Sequence, residues 1–150
     1  MTAAFASISS LLAELSARVA AGIPGLPENR VVAVTGWKSL LEALPMLTAL
    51  PAAVLAASSV QPDSPSATRT VEASLFLGAP FAATAEAAAS VYDLLDQALA
   101  ALSSGVPGQP LRLPSGAAVL VDAADPLDLA SDCAWYQVSL KIRQSATITP

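Results

Sequence analysis

Between Cys133 and Arg143 the side chains alternate in character. Ala134, Tyr136, Val138, Leu140 and Ile142 fall on one side, and Trp135, Gln137, Ser139, Lys141 and Arg143 on the other. A strand sends successive side chains to opposite faces, so this run predicts a strand with one face on a core and one polar face that carries a tryptophan. A second run, Arg69 to Leu77, repeats the pattern: Val71, Ala73, Leu75 and Leu77 point one way, Glu72, Ser74 and Phe76 the other. Strands with one apolar face need a sheet, and that face needs a layer laid upon it. Gly78-Ala79-Pro80 reads as the end of the second run.

Two helices are predicted to supply that layer. Ile8, Leu11, Leu12, Leu15 and Val19 recur at helical spacing and predict a helix from Ser7 to Ala21, with Gly22 as its C-cap and Pro24 and Pro27 barring continuation. A second helix runs from Ala82 or Thr84 to Ser103. Its apolar stripe is Val91, Leu94, Leu95, Ala98 and Leu102, while Glu86, Asp93, Asp96 and Gln97 face away. Further strands are predicted at Arg30–Thr35, Pro51–Ala57 and Ala117–Asp122, with a brief pairing at Leu111–Leu113 before a turn at Pro114-Ser115-Gly116. Ser39-x-x-Glu42 has capping-box spacing and predicts one helical turn over Leu40–Leu44. Gly22–Asn29, Gln61–Ala67 and Ala123–Ser131 read as loops.

The resulting order is helix, strand, strand, strand, helix, strand, strand. It predicts an α+β fold: a mixed, mostly antiparallel sheet with two main helices packed on one face. Residues 1–144 form a single domain in this reading, and 145–150 a flexible C-terminal tail without packing signal. The second sheet face would carry Glu72, Phe76, Trp135, Lys141 and Arg143.

Composition narrows the function. Apolar residues make up 54% of the 150 and charged residues 13%, which argues against disorder. A chain so poor in charge has to hide apolar surface, and self-association is one way to do so. The net charge is −5 and the lysines and arginines are scattered, which disfavours a basic nucleic-acid-binding face. The charge-free stretch between Glu42 and Asp63 is punctuated by Pro45, Pro51 and Pro62, so it reads as a helical turn and a buried strand rather than a membrane span. The start, Met1 to Phe5, lacks the positive region of a secretory signal, and cytoplasmic synthesis is expected.

Histidine is absent and Cys133 is the single cysteine. Most hydrolytic, metal-dependent and thiol chemistries draw on these residue types, so the expectation is a structural or binding protein, not an enzyme, with no cofactor and no metal. Asp122, Asp125, Asp128 and Asp132 cluster before the last strand, but their spacing does not match a calcium loop, and aspartate favours turns for its own backbone bonding. Cys133 reads as an inert thiol, buried or half-buried. The informative residues are Trp37, Arg69, Phe76, Trp135, Lys141 and Arg143. Aromatics mixed with cations are what interface cores favour. Two readings stand side by side: the second sheet face is covered by a loop of the same chain, such as Gly36-Trp37-Lys38, or it is a contact between subunits.

An N-terminal amphipathic helix leads to a strand and a proline-punctuated buried strand, Leu50-Pro51-Ala52-Ala53-Val54-Leu55. A polar loop follows, then the long alternating strand Arg69–Leu77, a helix with Leu94-Leu95-Asp96 at its middle, and the terminal strand Trp135-Tyr136-Gln137-Val138-Ser139-Leu140-Lys141-Ile142. This pattern, over residues 5 to 144, resembles the tail terminator (tail completion) proteins of long-tailed bacteriophages. The resemblance implies a virion protein made in the host cytoplasm and found at the head-proximal end of the tail. It would form a homo-hexameric ring that caps the tail tube protein and meets the head–tail connector protein. DNA would pass through the ring without specific binding, and no membrane would be involved. The acidic balance would then line the channel and reduce sticking to DNA. Other readings remain: a different neck or connector subunit, or a small-ligand-binding domain or carboxylate enzyme.

Overall fold

A computed structural model describes residues 2–23, 31–34, 52–63, 67–80, 85–127 and 133–149. In chain order the elements are β1 (Thr2–Ala4), α1 (Ile8–Gly22), β2 (Val31–Val34), β3 (Ala52–Asp63), β4 (Thr68–Pro80), α2 (Ala85–Ala101), β5 (Leu111–Arg112), β6 (Ala118–Leu127), β7 (Cys133–Ser145) and β8 (Thr147–Thr149). The main sheet has the order β2-β3-β4-β7-β6-β5. β2 runs parallel to β3, and every other neighbouring pair is antiparallel. The fold is α+β, as the alternation and the helical stripes require.

Both helices lie on one face. Leu11, Leu15 and Val19 of α1 and Leu94 and Ala98 of α2 meet Leu55 of β3, Val71, Ala73, Leu75 and Leu77 of β4, and Val138, Leu140 and Ile142 of β7 in one buried cluster. Each large apolar side chain buried here contributes roughly 1.5–3 kcal/mol before chain entropy is set against it. Ser7 caps α1, its Oγ accepting from the Ser10 amide at 3.1 Å. Arg18 of α1 donates from Nε to the carbonyl of Ala101 at 2.8 Å, placing a cation on the carbonyl end of α2.

The reading of Gly22 as a C-cap is corrected. Gly22 is the last helical residue, and Ile23, in extended conformation, is the cap. What needs glycine there is proximity: a Cβ on Gly22 would lie 2.4 Å from the Cβ of Ala101, where the ends of the two helices meet. The turn at Pro114-Ser115-Gly116 is as predicted. Gly116 takes a φ of +90°, a conformation glycine adopts at no steric cost.

The strands are longer than their sequence signals. β3 runs on through Gln61, Pro62 and Asp63, which pair with Thr70, Arg69 and Thr68, so the predicted loop Gln61–Ala67 is shorter. β6 continues past Asp122 to Leu127, through residues expected to form a loop. Both extensions contain a proline at a sheet edge. Among the described residues β2 pairs with Ala53–Ala56 of β3 alone, and β5 with Ala118 and Val119 of β6 alone. Beyond those stretches each strand has one ladder to satisfy, so the missing N–H of Pro62 or Pro126 interrupts nothing on the outer side. Gly78-Ala79-Pro80 likewise continues β4, in register with Trp135, Ala134 and Cys133.

The segment read from sequence as a C-terminal tail, 145–150, carries strand structure over its described residues. β7 includes Ser145, and Thr147–Thr149 pairs antiparallel with Thr2–Ala4, so the two ends of the chain form a small sheet of their own. The predicted helical turn at Leu40–Leu44 lies outside the described residues.

Candidate interaction surface

The second face of the main sheet can be built row by row from the register. One row holds Gly78 and Trp135, the next Val54, Phe76 and Gln137, and a third Ala56, Ser74 and Ser139. A fourth holds Ser59, Glu72, Lys141 and Leu120, and a fifth Gln61, Thr70, Arg143, Ala118 and Arg112. The first rows are closed. Phe76 is 0% exposed and Trp135 2%, with Val54, Ala56 and Ser74 buried beside them. The indole lies over Gly78, where a Cβ would stand 2.5 Å from its ring. Gln137 closes the polar end of this patch by donating from Nε2 to Ser74 Oγ at 3.0 Å.

The last rows are open. Lys141, Arg143 and Arg112 are exposed, and Leu120 is 50% exposed between them. Two shallow grooves run across this end. One, of about 220 Å³, is lined by Ser58, Glu72, Ser74, Asp122, Gln137 and Lys141; the other, of about 280 Å³, by Gln61, Thr70, Glu72, Leu120, Lys141 and Arg143. Glu72 accepts from Ser59 Oγ at 3.0 Å, which fixes its carboxylate toward β3. Arg112 donates to the carbonyl of Gly116 at 3.2 Å and points the rest of its guanidinium outward. Among the described residues none of Arg112, Lys141 and Arg143 forms an ion pair.

The residues singled out by sequence therefore separate. Phe76 and Trp135 are buried within the single chain. The Trp135 Nε1 has no hydrogen-bond partner among the described residues. Arg69 is turned inward. Its Nε donates to Gln144 Oε1 at 2.6 Å, its Nη2 donates to the Ala6 carbonyl at 3.0 Å, and the guanidinium sits 4.5 Å from the centre of the Phe5 ring. Gln144, itself buried, donates to the same Ala6 carbonyl at 3.1 Å. This clamp ties the segment before α1 to the ends of β4 and β7, so Arg69 is a fastening of the fold. Lys141 and Arg143 remain on an open face, as the alternation predicts. Trp37, Asp128, Asp132 and the side chain of Cys133 lie outside the described residues.

Sequence reasoning missed Arg112. It sits on a strand of two residues, and only the register through Ala118 brings it beside Arg143. Tyr92 was missed as well. It is 57% exposed on α2, beside the exposed Asp93 and Asp96. Burial pushes the Tyr136 hydroxyl above its ordinary range, and the neighbouring Tyr92 hydroxyl, hydrogen-bonded to it, adds to the shift. Among the described residues no group of histidine, cysteine or acidic side chains is arranged to hold a metal ion, and no helix is long and apolar enough to cross a membrane. No protein-family model matches this chain, and no curated protein matches it.

Proposed function

We propose that this chain is a tail terminator subunit of a long-tailed bacteriophage. Copies of it form a ring, six in number, on the head-proximal end of the tail tube. The ring stops growth of the tube and presents a surface to the head–tail connector. The observation that supports this reading is the order and layering of the fold. An amphipathic helix, a strand pair, a long alternating strand, a second helix and a long closing strand follow one another, and both helices cover the same sheet face. That is the arrangement the resemblance requires of a small α+β subunit. The reading asks nothing of the chain but surfaces. An open, charged sheet face and an exposed acidic helix suit contacts with neighbours, and a net charge of −5 suits a channel that lets DNA pass without holding it.

The test is electron microscopy of particles made with a stop codon at Trp37, in the phage that carries this gene. Overlong or unjoined tails are the expected result. Tails of normal length without heads would replace the proposal with a connector role. Normal infectious particles would overturn the structural reading altogether.

A further inference from the structure

We infer that copies of this chain join head to tail, the open end of the second sheet face on one copy receiving the exposed face of α2 from the next. The ring reading above is what makes this contact one of a closed set; the contact itself is argued from the two surfaces.

The first surface is the cationic end of the sheet. Of the described cations, Arg18 and Arg69 are spent inside the fold, on the end of α2 and on the N-terminal segment. Arg112, Lys141 and Arg143 are left, exposed and without an acidic partner among the described residues, around a half-exposed Leu120. Neighbouring strands lie about 4.8 Å apart, so Arg112 and Arg143, flanking Ala118 on one row, stand about 10 Å from each other. The second surface is on α2. Tyr92, Asp93 and Asp96 are exposed, and their i, i+3 and i, i+4 spacing makes them neighbours. Each surface thus has one large, half-exposed side chain, Leu120 or Tyr92: the first beside three cations with Glu72 and Asp122 among them, the second beside Asp93 and Asp96.

The two surfaces lie on opposite sides of the molecule. α2 packs on the first face of the sheet, and the cations project from the second. Complementary patches on opposite sides cannot meet within one chain, nor satisfy both partners in a two-fold pair. They meet from copy to copy, in a heterologous contact that repeats until it closes. A helix laid on a sheet face is also the packing this fold already uses on its other side. A protein partner fits this surface better than a nucleic acid does. Glu72 lines both grooves with Lys141 and Asp122 lines one of them, so the field is mixed, whereas phosphate backbones favour positive charge. Charge complementarity of this kind orients partners and speeds encounter more than it supplies affinity, so the contact weakens as salt rises.

The chain has only Lys38 and Lys141 as lysines, which makes a chemical test selective. A carbodiimide joins an amine to a carboxylate in direct contact. Nitrogen-14 and nitrogen-15 forms of the intact chain are mixed at high concentration and low salt and treated with it. The expected product is an inter-chain peptide linking Lys141 to Asp93 or Asp96, lost in Lys141→Arg. Two charge-reversed chains add a second test: Lys141→Glu with Arg143→Glu, and Asp93→Lys with Asp96→Lys. Each alone should associate about tenfold more weakly or worse than the native chain. Mixed, they should restore association as strictly alternating species, with equal numbers of each chain by native mass spectrometry. Absence of any Lys141 link to α2, or reversed chains that associate like the native one, overturns the contact. So does duplex DNA binding that the reversal at Lys141 and Arg143 abolishes. These outcomes are separable from the tail phenotype: a link found in a protein whose loss leaves tails normal keeps the contact and discards the terminator. The converse discards only the contact.

Discussion

The two ends of the second sheet face are made by the same strands and behave as different surfaces. At one end Phe76 and Trp135, on β4 and β7, are buried, and the Trp135 indole packs over Gly78. A few residues along the same strands, Glu72, Lys141 and Arg143 stand in solvent-facing grooves. Local conformation does not distinguish the ends; both are extended and in register. The difference lies in what covers them. It teaches that an alternating strand assigns side chains to a face, while the surroundings decide whether that face is core or surface. The first end is then a matter of stability and the second a matter of recognition, and substitutions should separate the two.

The largest effect is expected at the closed end. Phe76→Ala removes a fully buried ring and leaves a cavity, and should destabilise the fold by about 3–5 kcal/mol in urea or guanidinium unfolding. A cost below about 1 kcal/mol would mean that this end is open in solution and that the contrast between the ends is false. Gly78→Ala attacks the same end without deleting anything. The added methyl falls on the Trp135 indole, closer than real carbon contacts allow, and an aromatic ring packed on a strand has little room to yield. Overpacking of this kind costs about 1–3 kcal/mol. Pairing it with Trp135→Leu, which removes the obstructing ring, should recover part of that loss; two strictly additive penalties would show that the glycine serves some other purpose.

Much of this contrast was legible in the sequence, and the part that was not has a physical cause. Period-two alternation correctly put Val71, Ala73, Leu75 and Leu77 with Val138, Leu140 and Ile142 on the helical side. It also put Phe76, Trp135, Lys141 and Arg143 together on the other side. Helical spacing likewise identified the buried positions of α1. Strand ends were not legible. Pro62, Pro126 and Pro80 are breakers in a paired interior and harmless at an edge or an end, and edge status follows from how many partners β2 and β5 supply. Nor was the clamp of Arg69, Gln144 and Phe5, which unites residues from both termini and the middle of the chain. Arg69 has the composition of a contact residue, and its partners are set by register, which alternation leaves free. The same holds for Arg112, whose neighbour Arg143 is two strands away in space and remote in sequence.

The smallest effect is expected at the open end, and its smallness is the point. Lys141→Ser with Arg143→Ser removes two exposed charges that make no ion pair among the described residues, so unfolding stability should stay within about 0.5 kcal/mol of the native chain. No gain is expected at low salt, because Lys141 stands opposite Glu72 on the neighbouring strand and the loss of two positive charges takes the net charge further from zero than −5. A clear loss of stability would mean that Lys141 and Arg143 hold the fold together as Arg69 does, and the open end would cease to differ from the closed one. Neutral stability combined with lost self-association separates the roles within a single sheet face. Residues six to eight positions apart on β7 would then serve folding at one end and contact between copies at the other, with Gln137 and Ser74 marking the boundary where packing gives way to charge.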